Sequence, residues 1–168
     1  MITELEVFEA VRRGYLEFET ASNTEILDYF SAIDEGSVAG HASHIKGILF
    51  EQEYVDLLVT QGVEAQIFEA TNHPVTDISI WEEGDVVVEL QLKATESASY
   101  VNAAIEEYPE VEFVVTSEVA VGFDSDMVMD SGIENAALEQ AVGDTLMDEV
   151  INPLSPFSVI GWFIGLPL

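Results

Sequence analysis

The sequence predicts an α/β domain built on a mixed sheet, and three observations carry that prediction. Helical and strand periodicities alternate over residues 43–119 in the order helix, strand, strand, strand, helix, strand. The second and third strand segments are separated only by Glu82-Glu83-Gly84, a hairpin turn, which makes them antiparallel neighbours. A helical segment stands between the last two strands and supplies the crossover that a parallel pair requires.

Each element follows from its local pattern. Leu5, Phe8, Val11, Tyr15 and Phe18 recur at near-helical spacing and predict a helix over 3–19. "SNTEILDYFSAI" starts a second helix, with Ser22 or Asn23 as cap and Glu25 in its first turn. "DEGSVAGHAS", 34–43, reads as a linker, so residues 1–36 form an N-terminal helical appendage. The core, 43–119, opens with a helix over 43–61 that Gly62 ends. Strand segments follow at 63–70, 77–81 and 85–94, then a helix over 97–108 stopped by Pro109, then a strand over 110–119. Residues 120–152 form a C-terminal helical extension, with a helix over 131–150 that Pro153 and Pro156 keep from continuing. Residues 153–168 are an apolar tail, and no internal repeat is visible.

Composition narrows the setting. Of the 168 residues 48% are apolar, enough for a packed core, yet 33 Asp and Glu face only 4 Lys and Arg, a formal charge of −29. Such a chain repels itself in dilute salt, and at about 1 M salt the Debye length falls to about 3 Å and screens that repulsion. Dispersed acid with almost no lysine is the expectation for a cytoplasmic protein of a salt-accumulating halophile. The alternative is an acidic mimic that fills a partner's basic groove. The absence of cysteine excludes disulfides, thiolate catalysis and cysteine-rich zinc sites. "MITELEVFEAVRRGYLEF" lacks the basic and apolar regions of a signal peptide. "PFSVIGWFIGLPL", 156–168, carries no charge and is shorter than the roughly 20 residues a bilayer span needs. It reads as a segment packed on the domain, as the start of a membrane segment, or as a patch for self-association into a homo-oligomer or for another partner.

Lys93 is the residue that needs explaining, because one of only four basic side chains ends an apolar, β-branched run. Strand alternation puts Val86, Val88, Leu90 and Leu92 on one face and Val87, Glu89, Gln91 and Lys93 on the other. Across the hairpin, Asp77 comes near the Gln91–Lys93 end of its partner strand. Glu51, at about 100° per residue, lies between Val55 and Leu58 on an apolar meridian of the 43–61 helix, while Gln52, Glu53 and Asp56 turn toward a polar stripe. Two carboxylates and an amide oxygen are hard donors suited to Mg²⁺ or Mn²⁺. A lysine beside them can orient or deprotonate a water and stabilise charge on a phosphorane-like transition state.

The stretch "GILFEQEYVDLLVTQGVEAQIF", then Asp77, then "ELQLK" resembles the PD-(D/E)XK nuclease superfamily, in particular Mrr-like restriction endonucleases with Gln-x-Lys in the third strand. The αβββαβ order of 43–119 is similar to the core those enzymes share. The Pro-Asp of the motif name is absent, since Pro74 stands three residues before Asp77. The resemblance implies a restriction-endonuclease-like fold with extra N- and C-terminal helices. It also implies Asp77, Gln91 and Glu51 as ligands of Mg²⁺ or Mn²⁺, with Glu51 a helix acid that shares in catalysis and Lys93 the catalytic lysine. The activity implied is hydrolysis of nucleic acid, DNA rather than RNA. An inactive binding or assembly module of the same fold, and the acidic mimic, are the alternatives.

Each residue also has a plainer reading. Lys93 can reach water from a strand end, Gln91 can face solvent, Asp77 can be a turn acid, and Glu51 can be a structural acid paired with Lys46. His41, His44 and His73 read as structural or surface residues, and Tyr100 and Asn102 as packing or capping residues. Arg12 and Arg13 are the only adjacent basic pair, too little for a DNA-binding patch.

Overall fold

Capping chemistry sets the first two helices. In the computed structural model, which describes residues 1–68 and 75–147, α1 spans Glu4–Gly14 and α2 spans Asn23–Ser31. Thr3 and Glu6 form a capping box at the first, and Ser22 and Glu25 form one at the second. The Ser22 hydrogen bonds hold the Glu25 carboxyl below its ordinary range. α1 is shorter than its periodicity implies: Tyr15 takes an extended backbone (φ −132°), and a 3₁₀ turn over Leu16–Phe18 follows. That break carries the Tyr15 ring against His41, His44, Phe18 and Phe30. The Arg12 guanidinium donates to the Ala21 carbonyl at 3.0 Å and to Asn23 Oδ1, tying α1 to the start of α2.

The chain divides into two units. The first holds Met1–Leu49 and the described residues from Ala136 on; the second is Phe50–Asn135. The boundary falls inside α3, Val38–Thr60. α3 therefore begins within the segment expected to be a linker. Val38, Ala42, Ile45 and Leu49 are fully buried at helical spacing, so tertiary burial overrides the poor helix propensity of the intervening Gly40 and Ser43. Gly62, at φ +84°, ends α3 in a Schellman arrangement, with Gly62 N donating to Val59 O and Val63 N to Leu58 O.

α6, Asn135–Val142, which belongs to the first unit from Ala136 on, continues into a π-helical turn over Gly143–Met147 and buries Leu138, Val142, Leu146 and Met147. Residues 131–134 are not helical as expected. Gly132 sits at φ +75°, and Asp130 Oδ1 accepts from its N–H, so a turn precedes the helix. Residues 148–150 of the expected helix and the apolar tail lie outside the described residues.

The second unit carries a five-stranded mixed sheet in the order β1-β2-β3-β4-β5. The strands are β1 Glu64–Ile67, β2 Ile78–Glu82, β3 Asp85–Lys93, β4 Glu112–Val115 and β5 Val128–Asp130. The first three pair antiparallel and the last three parallel. The β2–β3 turn has Glu83 at φ 52° and Gly84 at φ 92°, the two positive values of a type I′ hairpin. α4, Ala98–Glu107, makes the parallel crossover from β3 to β4. α5, Ser117–Ala120, truncates the strand expected over 110–119, and β5 is an edge strand that the periodicity did not reveal.

On one sheet face Ile78, Leu90, Leu92 and Val114 are buried. On the other, Phe113 and Val115 pack with Val101 of α4 and Val119 of α5. The apolar face expected along all of β3 is buried only at its carboxyl end, with Val86 40% exposed and Val88 half-buried. β4 pairs with β3 only from Leu90 onward, so the hairpin tip projects beyond the sheet's covered part. Among the described residues no helix is long and apolar enough to cross a membrane.

Candidate functional site at the carboxyl end of β3

Three of the four residues singled out from sequence come together where β3 ends. Ile78 pairs with Leu90, so the register sets Asp77 opposite Gln91, with Lys93 two residues on. Asp77 N donates to Leu90 O at 2.8 Å, and Asp77 Oδ2 accepts from Leu92 N at 2.6 Å. The side chain thus takes over a ladder hydrogen bond and is fixed by it. Burial pushes the Asp77 carboxyl above its ordinary value; the Leu92 N–H and the Lys93 charge pull it down but do not win. A carboxylate at this position is under-compensated, which is the condition a cation relieves.

Gln91 is 8% exposed, and its Oε1 is buried without a hydrogen-bond partner among the described residues. An unsatisfied buried acceptor costs about 1–3 kcal/mol, a cost that a solvent-facing glutamine does not carry. The register puts Gln91 beside Phe113 and Lys93 beside Val115, on the face that α4 covers. Lys93 is half-buried, with Nζ 5.4 Å from the centroid of the Tyr100 ring. Among the described residues no carboxylate lies within ion-pair distance of it. Tyr100, which the sequence suggested only as a packing residue, is therefore the side chain set against this ammonium.

The loop that joins these parts is pinned. Thr116, fully buried at the end of β4, donates its hydroxyl to Thr95 O at 2.7 Å and accepts from Thr95 N at 3.3 Å. Ser97 then caps α4 by accepting from Tyr100 N. These bonds set where β3 stops and α4 starts, and hence where Lys93 and Tyr100 meet.

Glu51 is half-buried on α3, beside the buried stripe of Phe50, Tyr54 and Leu58. Glu53 departs from the polar stripe expected for it: the residue is half-buried and its Oε1 lies in the interior. The helix is enclosed over a wider arc than one apolar meridian, which a helical wheel cannot register. Among the described residues no three His, Asp or Glu side chains converge into a metal-binding group. The Asp77–Gln91 pair is of another kind, one carboxylate with one amide oxygen.

The remaining polar candidates belong to the first unit. His41 Nδ1 is 2.6 Å from the Tyr15 hydroxyl, and His44 Nε2 is 3.2 Å from the Gly14 carbonyl oxygen. Burial, with the charges of Tyr29 and Glu17, raises the Tyr15 phenol to about 12, so it stays protonated. Lys46 pairs with Glu139 at 2.9 Å in a nearly buried ion pair. His73 and Pro74 lie outside the described residues. Compared with protein-family models, with curated proteins and with solved structures, the chain matches none.

Proposed function

We propose that the carboxyl end of β3 is the active site of a divalent-metal-dependent phosphodiesterase that hydrolyses nucleic acid, DNA in the first instance, on a restriction-endonuclease-like core. The observation that carries this reading is Gln91 Oε1, a buried acceptor without a partner among the described residues, opposite an under-compensated Asp77 and two residues from a lysine. These groups fit a hard cation. Asp77 and Gln91 would hold Mg²⁺ or Mn²⁺, with Glu51 as the acid assigned to the site from α3. The metal supplies Lewis-acid polarisation of a phosphoryl oxygen.

The chain's own residues do the rest. Asp77, held by Leu92 N, brings negative charge at a fixed position. Gln91 adds a neutral oxygen, which keeps the site's charge lower than two carboxylates would. Lys93 orients the attacking water and offsets the charge that develops on the phosphoryl oxygens. Half-burial strengthens that interaction relative to bulk water.

The test is cleavage of single-stranded, duplex and branched DNA in about 1–3 M KCl, where charge repulsion is screened, with Mg²⁺ or Mn²⁺. We expect metal-dependent cutting by the wild type that is lost in Lys93→Ala. A folded, metal-supplied wild type that cuts none of the three would overturn the reading and leave the fold as a binding or assembly module.

A further inference from the structure

We infer that Lys93 and Tyr100 together select an unpaired nucleotide, the ammonium meeting its phosphate and the exposed tyrosine ring stacking on its base. This rests on the phosphodiesterase reading and names the substrate form that the same site takes.

The argument starts from what compensates Lys93. In a chain with 33 acidic residues, a carboxylate is the partner any ammonium would most readily meet. The structure sets the face of a neutral ring at 5.4 Å from Nζ and keeps the nearby Asp77 carboxylate beyond ion-pair distance. A cation–π contact holds and orients an ammonium without cancelling its charge, so the charge remains available to an anion. It also depends less on screening than a solvent-exposed ion pair does.

Tyr100 has a second property. It lies in the first turn of α4, its backbone fixed by Ser97, and it is 54% exposed. A large aromatic ring in that position contributes little to the core, which Val101, the next residue, joins in full. The ring is a flat apolar surface beside a cation, at the end of the strand that carries Asp77's partner Gln91. Base and phosphate are the two parts of a nucleotide that such a pair matches.

Substrate form then follows from exclusion. In a duplex each base is stacked between its neighbours, so its face is not open to Tyr100 without extrusion. A duplex can be held by its phosphates alone, but that needs many basic side chains, and this chain has four. Stacking on an unpaired base is the contribution that neither the acidic surface nor high salt removes.

Binding of fluorescent 12-mers would be followed by stopped-flow anisotropy in Mg²⁺ and about 1–3 M KCl, before turnover. The probes are oligothymidylate, an abasic strand of the same length, and a duplex. Wild type should prefer oligothymidylate to both others. Tyr100→Phe should keep that preference. Tyr100→Ala should weaken oligothymidylate binding by roughly 5- to 150-fold more than it weakens binding of the abasic strand, the range of one base–aromatic stack. An equal loss on the abasic strand would show that the ring acts only through Lys93 and would overturn the inference. Equal wild-type binding of oligothymidylate and the abasic strand, or tighter binding of duplex, would do the same. Tyr100-dependent binding without cutting upholds the single-strand site and removes the hydrolytic reading. Cutting that is indifferent to Tyr100 does the reverse.

Discussion

Replacing Gln91 with leucine should make the protein more stable and unable to bind metal, and the two effects have one cause. Gln91 Oε1 is buried without a partner among the described residues, on a face shared with Phe113 and close to the Val101–Val115 core. The unmade hydrogen bond costs about 1–3 kcal/mol, and leucine, of similar volume, removes that cost while adding apolar contact. For a chain of this size each kcal/mol moves the melting temperature by about 2–4 °C. Gln91→Leu should therefore melt about 2–12 °C above wild type in EDTA and molar KCl. Adding Mn²⁺ acts on wild type alone. A ligand at about 100 times its Kd stabilises by about 2.7 kcal/mol, so wild type should gain roughly 5–11 °C while Gln91→Leu gains nothing. Differential scanning fluorimetry with and without Mn²⁺ reads both arms. A variant less stable than wild type in EDTA, with an undiminished response to Mn²⁺, would refute the reasoning. It would make Gln91 an ordinary structural amide.

Two further predictions concern charges held in poor solvent. Lys46→Met should destabilise the protein by about 3–5 kcal/mol by removing the cation paired with Glu139, which is 5% exposed, and Lys46→Met/Glu139→Leu should recover most of that loss. Thermal melts in dilute and molar KCl check it, and a double variant less stable than Lys46→Met would count against the pair. Asp77→Asn tests the raised carboxyl. Because burial lifts the folded-state value above 3.8, wild type binds a proton more tightly folded than unfolded. That contribution is fully present below about 3.8 and is lost as pH rises through the raised value. The stability of Asp77→Asn relative to wild type should therefore increase across that window and then level off, in urea titrations run from about pH 4 to 8. A relative stability that decreases with pH would mean that Leu92 N–H and Lys93 outweigh burial.

The elements readable in the sequence were those whose signal is local. The caps at Ser22 and Gly62, the Glu82–Gly84 hairpin, the crossover helix and the meeting of Asp77 with the end of β3 all follow from short-range chemistry and a period of two. Elements set by contacts distant in sequence were not readable. α3 starts at Val38 because Val38 and Ala42 are buried, although "GSVAG" reads as a linker. β5 is three residues long, and its pairing with β4 depends on a partner more than ten residues away. At the site, spacing pointed to Asp77, Gln91 and Lys93. The place of Tyr100 depends on the Thr95–Thr116 bonds that fix the loop before α4, and no periodicity encodes those.

The allotment of the basic residues sets the sign of one last effect. Arg12 is spent on the Ala21 carbonyl and Asn23, and Lys46 on Glu139, and Lys93 is the one Lys or Arg in the sequence of Phe50–Asn135, the unit that carries the site. A polyanion approaching Lys93 therefore moves against the field of a chain with charge −29. In nucleases that grip phosphates with a basic groove, added salt weakens binding with a log–log slope near −0.9 for each phosphate neutralised. Here salt first removes repulsion, and only one lysine stands to be screened. Affinity for a short single strand should increase with KCl, then flatten once the Debye length nears about 3 Å at about 1 M. Anisotropy titrations from about 0.1 to 3 M KCl on a refolding-competent sample distinguish the two cases. A monotonic fall would place the binding surface elsewhere than Lys93, because a site with one cation in a field of this sign cannot produce one.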